Sequence, residues 1–152
     1  MKTNHNIVLG FDFGTKYIGI AAGQKISRTA SPITSLLVKN NSPNWEYITD
    51  IIEKWNPAVL VVGLPLNMDG TTQPITIIAQ NFVKSLESIY KLPVYLVDER
   101  LSTWEAKTRL KLKKTILNKQ ELTKINAQAA VILTEQWLGD ADIPLDIINK
   151  LC

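Results

Sequence analysis

Three acidic residues directly follow short apolar runs, and carboxylates in these positions could support catalysis. Asp12 follows the run 7–11, and Asp98 with Glu99 follows the run 94–97. A carboxylate is costly beside apolar strands unless a metal, a proton or a cation matches its charge. Carboxylate oxygens suit hard cations such as Mg²⁺ or Mn²⁺, so the simplest enzymatic interpretation is metal-assisted hydrolysis.

Asp12 also has a purely structural interpretation. It precedes a tight turn in which Gly14 supplies a permissive backbone, while Thr15 and Lys16 add a hydroxyl and a cation. An Asp in such a turn commonly caps its own backbone. The functional interpretation gains support because the loop 63–71 and the later acidic pair also follow strands, and functional groups gather at the carboxyl ends of strands.

The sequence offers few candidate residues for other catalytic chemistries. The only histidine, His5, lies near the N-terminus, so no Ser-His-Asp set can be assembled around it. The only cysteine, Cys152, is the last residue, which excludes an internal disulfide and the cysteine spacing of a zinc site.

Length and composition predict one domain over residues 1–152 with a short C-terminal tail at 140–152. The chain has 152 residues, of which 45% are hydrophobic, a content that suits a single core. No apolar run approaches the ~20 residues that span a bilayer, and the N-terminus lacks the apolar centre of a signal peptide. We therefore expect a cytoplasmic protein without a membrane partner.

Positive charge is concentrated rather than abundant. The chain carries 17 Lys and Arg against 14 Asp and Glu. One short region holds seven of these cations: Lys107, Arg109, Lys111, Lys113, Lys114, Lys119 and Lys124. Such a run either binds phosphates or forms an ordinary solvated helix face.

The elements that would position these groups follow from hydrophobic periodicity. Strands are predicted at 7–22 as a hairpin, at 25–37, at 59–62 and at 94–97. Helices are predicted at 45–55, at 75–89, from Ser102 onward through the basic run, and from Asn118 to Gly139. A hairpin followed by alternating strands and helices predicts an α/β fold. Its central mixed sheet would have about five strands, the first three antiparallel, and helices on both faces.

Three motifs give the chain a resemblance to a known family. They are Gly10 to Lys16, Val62 to Gly70, and Val97 to Ala106. In this order and spacing they resemble the YqgF/RuvX family, and the likeness runs from residue 7 to residue 138. The family is described as Holliday junction resolvases and as pre-16S ribosomal RNA nucleases, so the resemblance implies an RNase H-like fold.

The resemblance also implies a catalytic site. Asp12 and Glu99 match the family's metal-binding acids, with Mg²⁺ or Mn²⁺ as the expected cofactor. A third acid is expected in the last helix just before an Ala-Ala pair, but Asn126 occupies that place, and Asp98 is the candidate to compensate. Since an amide offers only a neutral oxygen, weaker metal binding is expected. Tyr17 stands where the family more usually has arginine, which removes one potential phosphate contact.

The expected partner is structured nucleic acid, either pre-16S rRNA processed at its 5′ end or branched DNA, bound by a monomer or a weak homodimer. The expected contacts to its backbone come from polar and basic side chains around the acids: Lys16, Asn67, Asp69, Arg100, Lys107, Arg109 and Lys111.

Two other functions remain open. A nucleic-acid-binding module with little or no cleavage is the stronger one, because Asn126 replaces the third acid. The second is an ATPase of the actin and sugar-kinase type, whose phosphate loop also reads Asp-x-Gly-Thr. Those proteins need two such domains, and 152 residues cannot hold both.

Overall fold

The structure, a computed structural model, describes residues 4–14, 16–40, 42–64, 74–98 and 119–139. Its six strands are β1 (Asn4–Phe13), β2 (Tyr17–Gln24), β3 (Thr29–Lys39), β4 (Ser42–Pro43), β5 (Pro57–Leu64) and β6 (Val94–Asp98). Its three helices within these ranges are α1 (Trp45–Trp55), α2 (Pro74–Tyr90) and α3 (Lys119–Leu138). The helix predicted from Ser102 lies outside the described residues.

All six strands form one mixed sheet in the order β4-β3-β2-β1-β5-β6. The first three strands are antiparallel, as predicted, and β5 and β6 run parallel to β1. The two-residue β4 adds a sixth strand to the five expected.

The third strand was predicted at 25–37 and instead spans Thr29–Lys39. Residues 25–28 form a turn, in which the Arg28 N–H donates to the Gln24 carbonyl at 2.9 Å and Arg28 has a φ of 56°. A residue in the left-handed region cannot continue an extended strand, so the strand begins after it.

One face of the sheet carries the larger core, covered by α1 and α2. Phe82 of α2 lies at its centre, where its ring meets Phe11 edge-on at 5.7 Å and lies 5.1 Å from the Phe13 ring and 5.5 Å from Trp45. The side chains of the odd-numbered residues at the end of β1 point to this face. The even-numbered Asp12 must therefore point to the other face.

Helix α1 has well-defined ends that match the sequence prediction. The Asn44 side chain accepts a hydrogen bond from the Tyr47 N–H at 3.3 Å and caps the N-terminus. Asn56 adopts the left-handed conformation with a φ of 46°, and its N–H donates to the Ile52 carbonyl. The turn at Asn56 leads directly into β5.

Helix α3 covers the second face of the sheet, lying against β1, β2 and β3. Leu133 and Leu138 of α3 pack with Val8 and Val61 in a smaller core. The helix ends at Leu138, and the Gly139 N–H then donates to the Glu135 carbonyl at 2.8 Å. The predicted end at Gly139 is confirmed.

Candidate active site beneath the last helix

Asp12 lies on the face covered by α3, where only 7% of it is exposed. Its neighbours Phe11 and Phe13 both belong to the core on the opposite face, so strand alternation fixes the direction of the Asp12 side chain. Burial of a carboxylate under a helix is costly unless the charge is matched. Capping a turn does not require an Asp side chain to be buried in this way, so the burial of Asp12 favours the functional interpretation.

Asp12 sits in a row of residues that crosses the sheet at one level. Gly19 of β2 and Gly63 of β5 are its register partners on either side, and Ser35 of β3 and Val97 of β6 are the next positions outward. Because both direct neighbours are glycines, neither places a side chain against the Asp12 carboxylate. The carboxylate thus stands between two positions where backbone or ligand can come close to the sheet.

At Gly19, α3 lies directly against the sheet. A Cβ built on Gly19 would overlap the backbone carbonyl oxygen of Asn126. Only a residue without a side chain permits this approach. Because Gly19 is the register partner of Asp12, the approach brings the backbone of Asn126 next to Asp12.

Two further contacts fix the direction of α3. A Cβ on Gly10 would overlap Thr134, whose hydroxyl donates to the Ala130 carbonyl at 2.6 Å. At Gly23 the nearest atoms belong to Thr134 and Leu138. The helix therefore runs from the Asp12 end of β1 back towards its start, and its first turns lie at the edge where the acids gather.

Asn126 is the predicted site residue in α3, and it lies at the border of the buried face of that helix. Its neighbours Ile125, Ala129 and Leu133 are almost fully buried, whereas Asn126 itself is half-buried. A polar side chain at the border of a buried helix face can reach a site at the sheet edge.

The second predicted acidic position lies at the same edge. Asp98 is the last residue of β6 and pairs with Leu64, one position beyond the Asp12 row. Since β1, β5 and β6 are parallel, their carboxyl ends share one edge of the sheet. Glu99 comes next in the sequence and lies outside the described residues. So do the other predicted contacts Asn67, Asp69, Arg100, Lys107, Arg109 and Lys111.

Lys16 is exposed in the turn between β1 and β2. Its carbonyl accepts a hydrogen bond from the Val38 N–H at 2.8 Å, which ties the turn to β3. The backbone that carries the Lys16 cation, three residues beyond the end of β1, is therefore held in place by this hydrogen bond.

Ser35 is a site neighbour that the sequence did not reveal. Its hydroxyl oxygen is buried and has no hydrogen-bond partner in the described part of the chain. The register of β3 alone places it beside Gly19, and no sequence motif encodes that register.

The profile of a family described as RuvX, Holliday junction resolvase, matches residues 6–140. The chain belongs to the RuvX family. The match covers most of the chain and confirms the resemblance carried by the three sequence motifs.

Curated members of the RuvX family are similar over nearly their whole lengths. The chain is 47% identical over 134 residues to the "Putative pre-16S rRNA nuclease" of Blochmanniella pennsylvanica, covering 88% of this chain and 93% of that protein. It is 46% identical over 134 residues to the protein of the same description from Nitrosococcus oceani, covering 88% and 87%.

Solved structures show the same fold at low identity. RuvC of T. thermophilus in complex with a Holliday junction substrate superposes with a TM-score of 0.53 at 14% identity, covering 86% of this chain and 92% of that chain. The fowlpox virus resolvase in complex with junction DNA gives 0.51 at 18% identity, covering 88% and 99%. The RNase H-like architecture expected from the sequence is confirmed.

RuvC-like nucleases typically use a metal, and the described residues supply only part of a metal site. No group of three or more His, Cys, Asp or Glu side chains able to hold an ion occurs within the described ranges. The donors at the Asp12 row are a carboxylate and the nearby amide residue Asn126, both offering oxygen. This all-oxygen donor chemistry fits Mg²⁺ or Mn²⁺ better than zinc, whose protein sites are built mainly from His and Cys ligands.

None of the helices that the structure describes is long and apolar enough to cross a bilayer.

Proposed function

We propose that this RuvX-family chain is a Mg²⁺- or Mn²⁺-dependent endonuclease that processes the 5′ end of pre-16S rRNA in the cytoplasm. One observation carries the proposal. Asp12 is buried at the carboxyl edge of a parallel strand set, beneath a helix whose Asn126 backbone reaches its register partner Gly19. The chain would act as one domain over residues 1–152, as a monomer or a weak homodimer.

In this proposal Asp12, Glu99 and Asp98 hold the metal. The ion would act as a Lewis acid toward the phosphodiester and its attacking water. Asp12 holds its carboxylate in a fixed direction because its strand is packed on both faces. Asn126 completes the site with a neutral amide oxygen, so metal affinity is lower than three acids would give.

The basic and polar side chains around the acids position the nucleic acid. Lys16 is exposed in the turn after the Asp12 strand, which supports its proposed contact with a phosphate. The proposed contacts in the remaining segments are Asn67, Asp69, Arg100, Lys107, Arg109 and Lys111. Such contacts set the register of the substrate without reading its sequence.

The decisive experiment is cleavage of a 5′-extended 16S rRNA precursor by Asp12→Asn with Mn²⁺. The variant keeps the size of the side chain, so we expect an intact fold and loss of cleavage by at least about a hundredfold. Asp50→Asn is the matched control, because Asp50 is exposed on α1 on the other side of the sheet. Unchanged cleavage by Asp12→Asn would refute the assignment. A four-way DNA junction assayed in parallel identifies the preferred substrate.

A second candidate function is a nucleic-acid-binding module with little or no cleavage, and the neutral Asn126 beside Asp12 favours it. Asn126→Asp separates the two. If the native chain binds precursor rRNA without cutting it and Asn126→Asp gains Mn²⁺-dependent cleavage, the module is correct and the site has lost its third acid. If the native chain already cleaves and Asn126→Asp is at most a few times faster, the nuclease is correct.

A further inference from the structure

Two apolar side chains extend the Asp12 face of the sheet beyond the site. Tyr17 of β2 and Leu37 of β3 are register partners. Ile18, Leu36 and Val38 all belong to the core on the opposite face, so alternation directs Tyr17 and Leu37 to the face that carries Asp12. Directly paired side chains on one face lie about 5 Å apart and form a continuous surface.

This pair, called here the Tyr17–Leu37 platform, is open to solvent. Leu37 is 49% exposed, and Tyr17 is half-buried. Two residues along β2 correspond to about 7 Å, so Tyr17 lies about that distance from Gly19, the register partner of Asp12. The platform is therefore the adjoining surface of the candidate active site.

Cations border the platform at one end, the end that carries the β1–β2 turn, because β2 and β3 run antiparallel. Lys16 precedes Tyr17 and is exposed, and Lys39 follows Leu37 by two residues and is also exposed. Leu37 and Lys39 further line a cleft of about 580 Å³ that continues to Asn44 at the start of α1. Its volume is in the range that accommodates small organic ligands.

An apolar surface with an aromatic ring, bordered by cations at one end and adjoining the proposed cleavage site, has the chemistry of a single-strand contact. Aromatic rings stack on unpaired bases, and neighbouring cations hold the backbone phosphates. We propose that the Tyr17–Leu37 platform binds one unpaired nucleotide of the substrate strand next to the cleavage site, with the base on Tyr17 and a phosphate at Lys39. The proposal rests on the proposed nuclease function for its substrate class.

The backbone geometry supports a preformed surface. The Val38 N–H donates to the Lys16 carbonyl at 2.8 Å, which locks the turn before Tyr17 onto the strand that carries Leu37. A rigid platform binds a base without an ordering cost. A flexible aromatic residue in a loop would lose part of this advantage.

The test measures binding of a fluorescent oligothymidylate of about ten nucleotides to the full chain in EDTA, where cleavage cannot occur. Tyr17→Ala should weaken binding about tenfold, and Tyr17→Phe should retain it, because stacking needs the ring and not the hydroxyl. Ile77→Ala is the matched control, since Ile77 is 59% exposed on α2 on the opposite side of the sheet. The melting temperature of each variant verifies that it is folded.

An abasic oligomer of the same length and charge identifies the base as the partner of the ring. The native chain should bind it about tenfold more weakly than oligothymidylate, and Tyr17→Ala should bind both equally. Equal losses in the native chain and in Tyr17→Ala would overturn the stacking contact. The stacking contact would also be overturned by a protein partner whose binding depends on Tyr17 but does not compete with either oligomer.

Failure of this proposal and failure of the nuclease assignment give different results. If Asp12→Asn abolishes cleavage while Tyr17→Ala binds oligothymidylate as the native chain does, the platform is wrong and the nuclease stands. If the native chain does not cleave but Tyr17→Ala loses base-dependent binding, the platform is correct for a binding module.

Discussion

Replacing Gly19 by alanine tests how the site is assembled. The added Cβ would overlap the Asn126 carbonyl oxygen, and both the carbonyl carbon and the next backbone nitrogen also lie within contact distance. Backbone atoms of a packed helix cannot turn aside as a side chain can, so α3 must shift away from the sheet or the strand must bend. Either movement loosens the packing of the helix on the sheet and moves Asn126 away from Asp12.

The size of the effect follows from two opposing terms. Overpacking a well-packed core costs about 1–3 kcal/mol, and an overlap with backbone belongs at the upper end of that range. Alanine restricts the unfolded chain relative to glycine, which returns about 0.4–1 kcal/mol. We expect a net loss of about 2–2.6 kcal/mol in the free energy of unfolding, or roughly 4–10 °C in melting temperature for a chain of this size.

Gly23→Ala is the matched comparison on the same strand and face. Its Cβ would lie 2.8 Å from Leu138 Cδ1 and 2.8 Å from Thr134 Cγ2, which belong to side chains rather than to backbone. We expect a loss of less than about 1 kcal/mol there. Urea unfolding followed by tryptophan fluorescence measures both variants. A Gly19→Ala variant within about 0.5 kcal/mol of the native chain, or no worse than Gly23→Ala, would refute the close approach of α3.

Two further predictions concern the scaffold. Phe82→Ala removes a ring that is 4% exposed and contacts Phe11, Phe13 and Trp45. Calorimetry should show that the free energy of unfolding falls by about 3–5 kcal/mol, and a fall of less than about 2 kcal/mol would contradict the central place of Phe82 in the core. Asn44→Ala removes the cap of α1, and urea unfolding should show a decrease of about 1 kcal/mol in the free energy of unfolding. Asn44→Asp should change this free energy little, because Asp can also cap the helix. Equal decreases for the two variants would argue against capping.

Much of the scaffold could be predicted because it depends on local signals. The apolar spacing from Trp45 to Trp55 predicts α1 within the sequence itself, and the structure confirms this helix. The Asn44 cap was not predicted and is a finding of the structure. The third strand was misplaced because residues 25–28 have no Gly or Pro to mark their turn, and the left-handed conformation falls on Arg28. Alternation along β1 could predict that Asp12 and Phe11 face opposite sides, but the sequence did not say which side α3 would cover.

Residue chemistry at the candidate site was accessible from the sequence, since Asp12, Asn126 and the acids after β6 stand in recognisable motifs. Their relation in space was not. The row that joins Ser35, Gly19 and Asp12 depends on strand register, and register is decided by long-range pairing and by which face each element buries. Likewise, the lack of a side chain at Gly19 is evident from the sequence. That this gap admits the Asn126 backbone follows from the fold, because close packing of α3 on the sheet requires contacts between residues far apart in the chain.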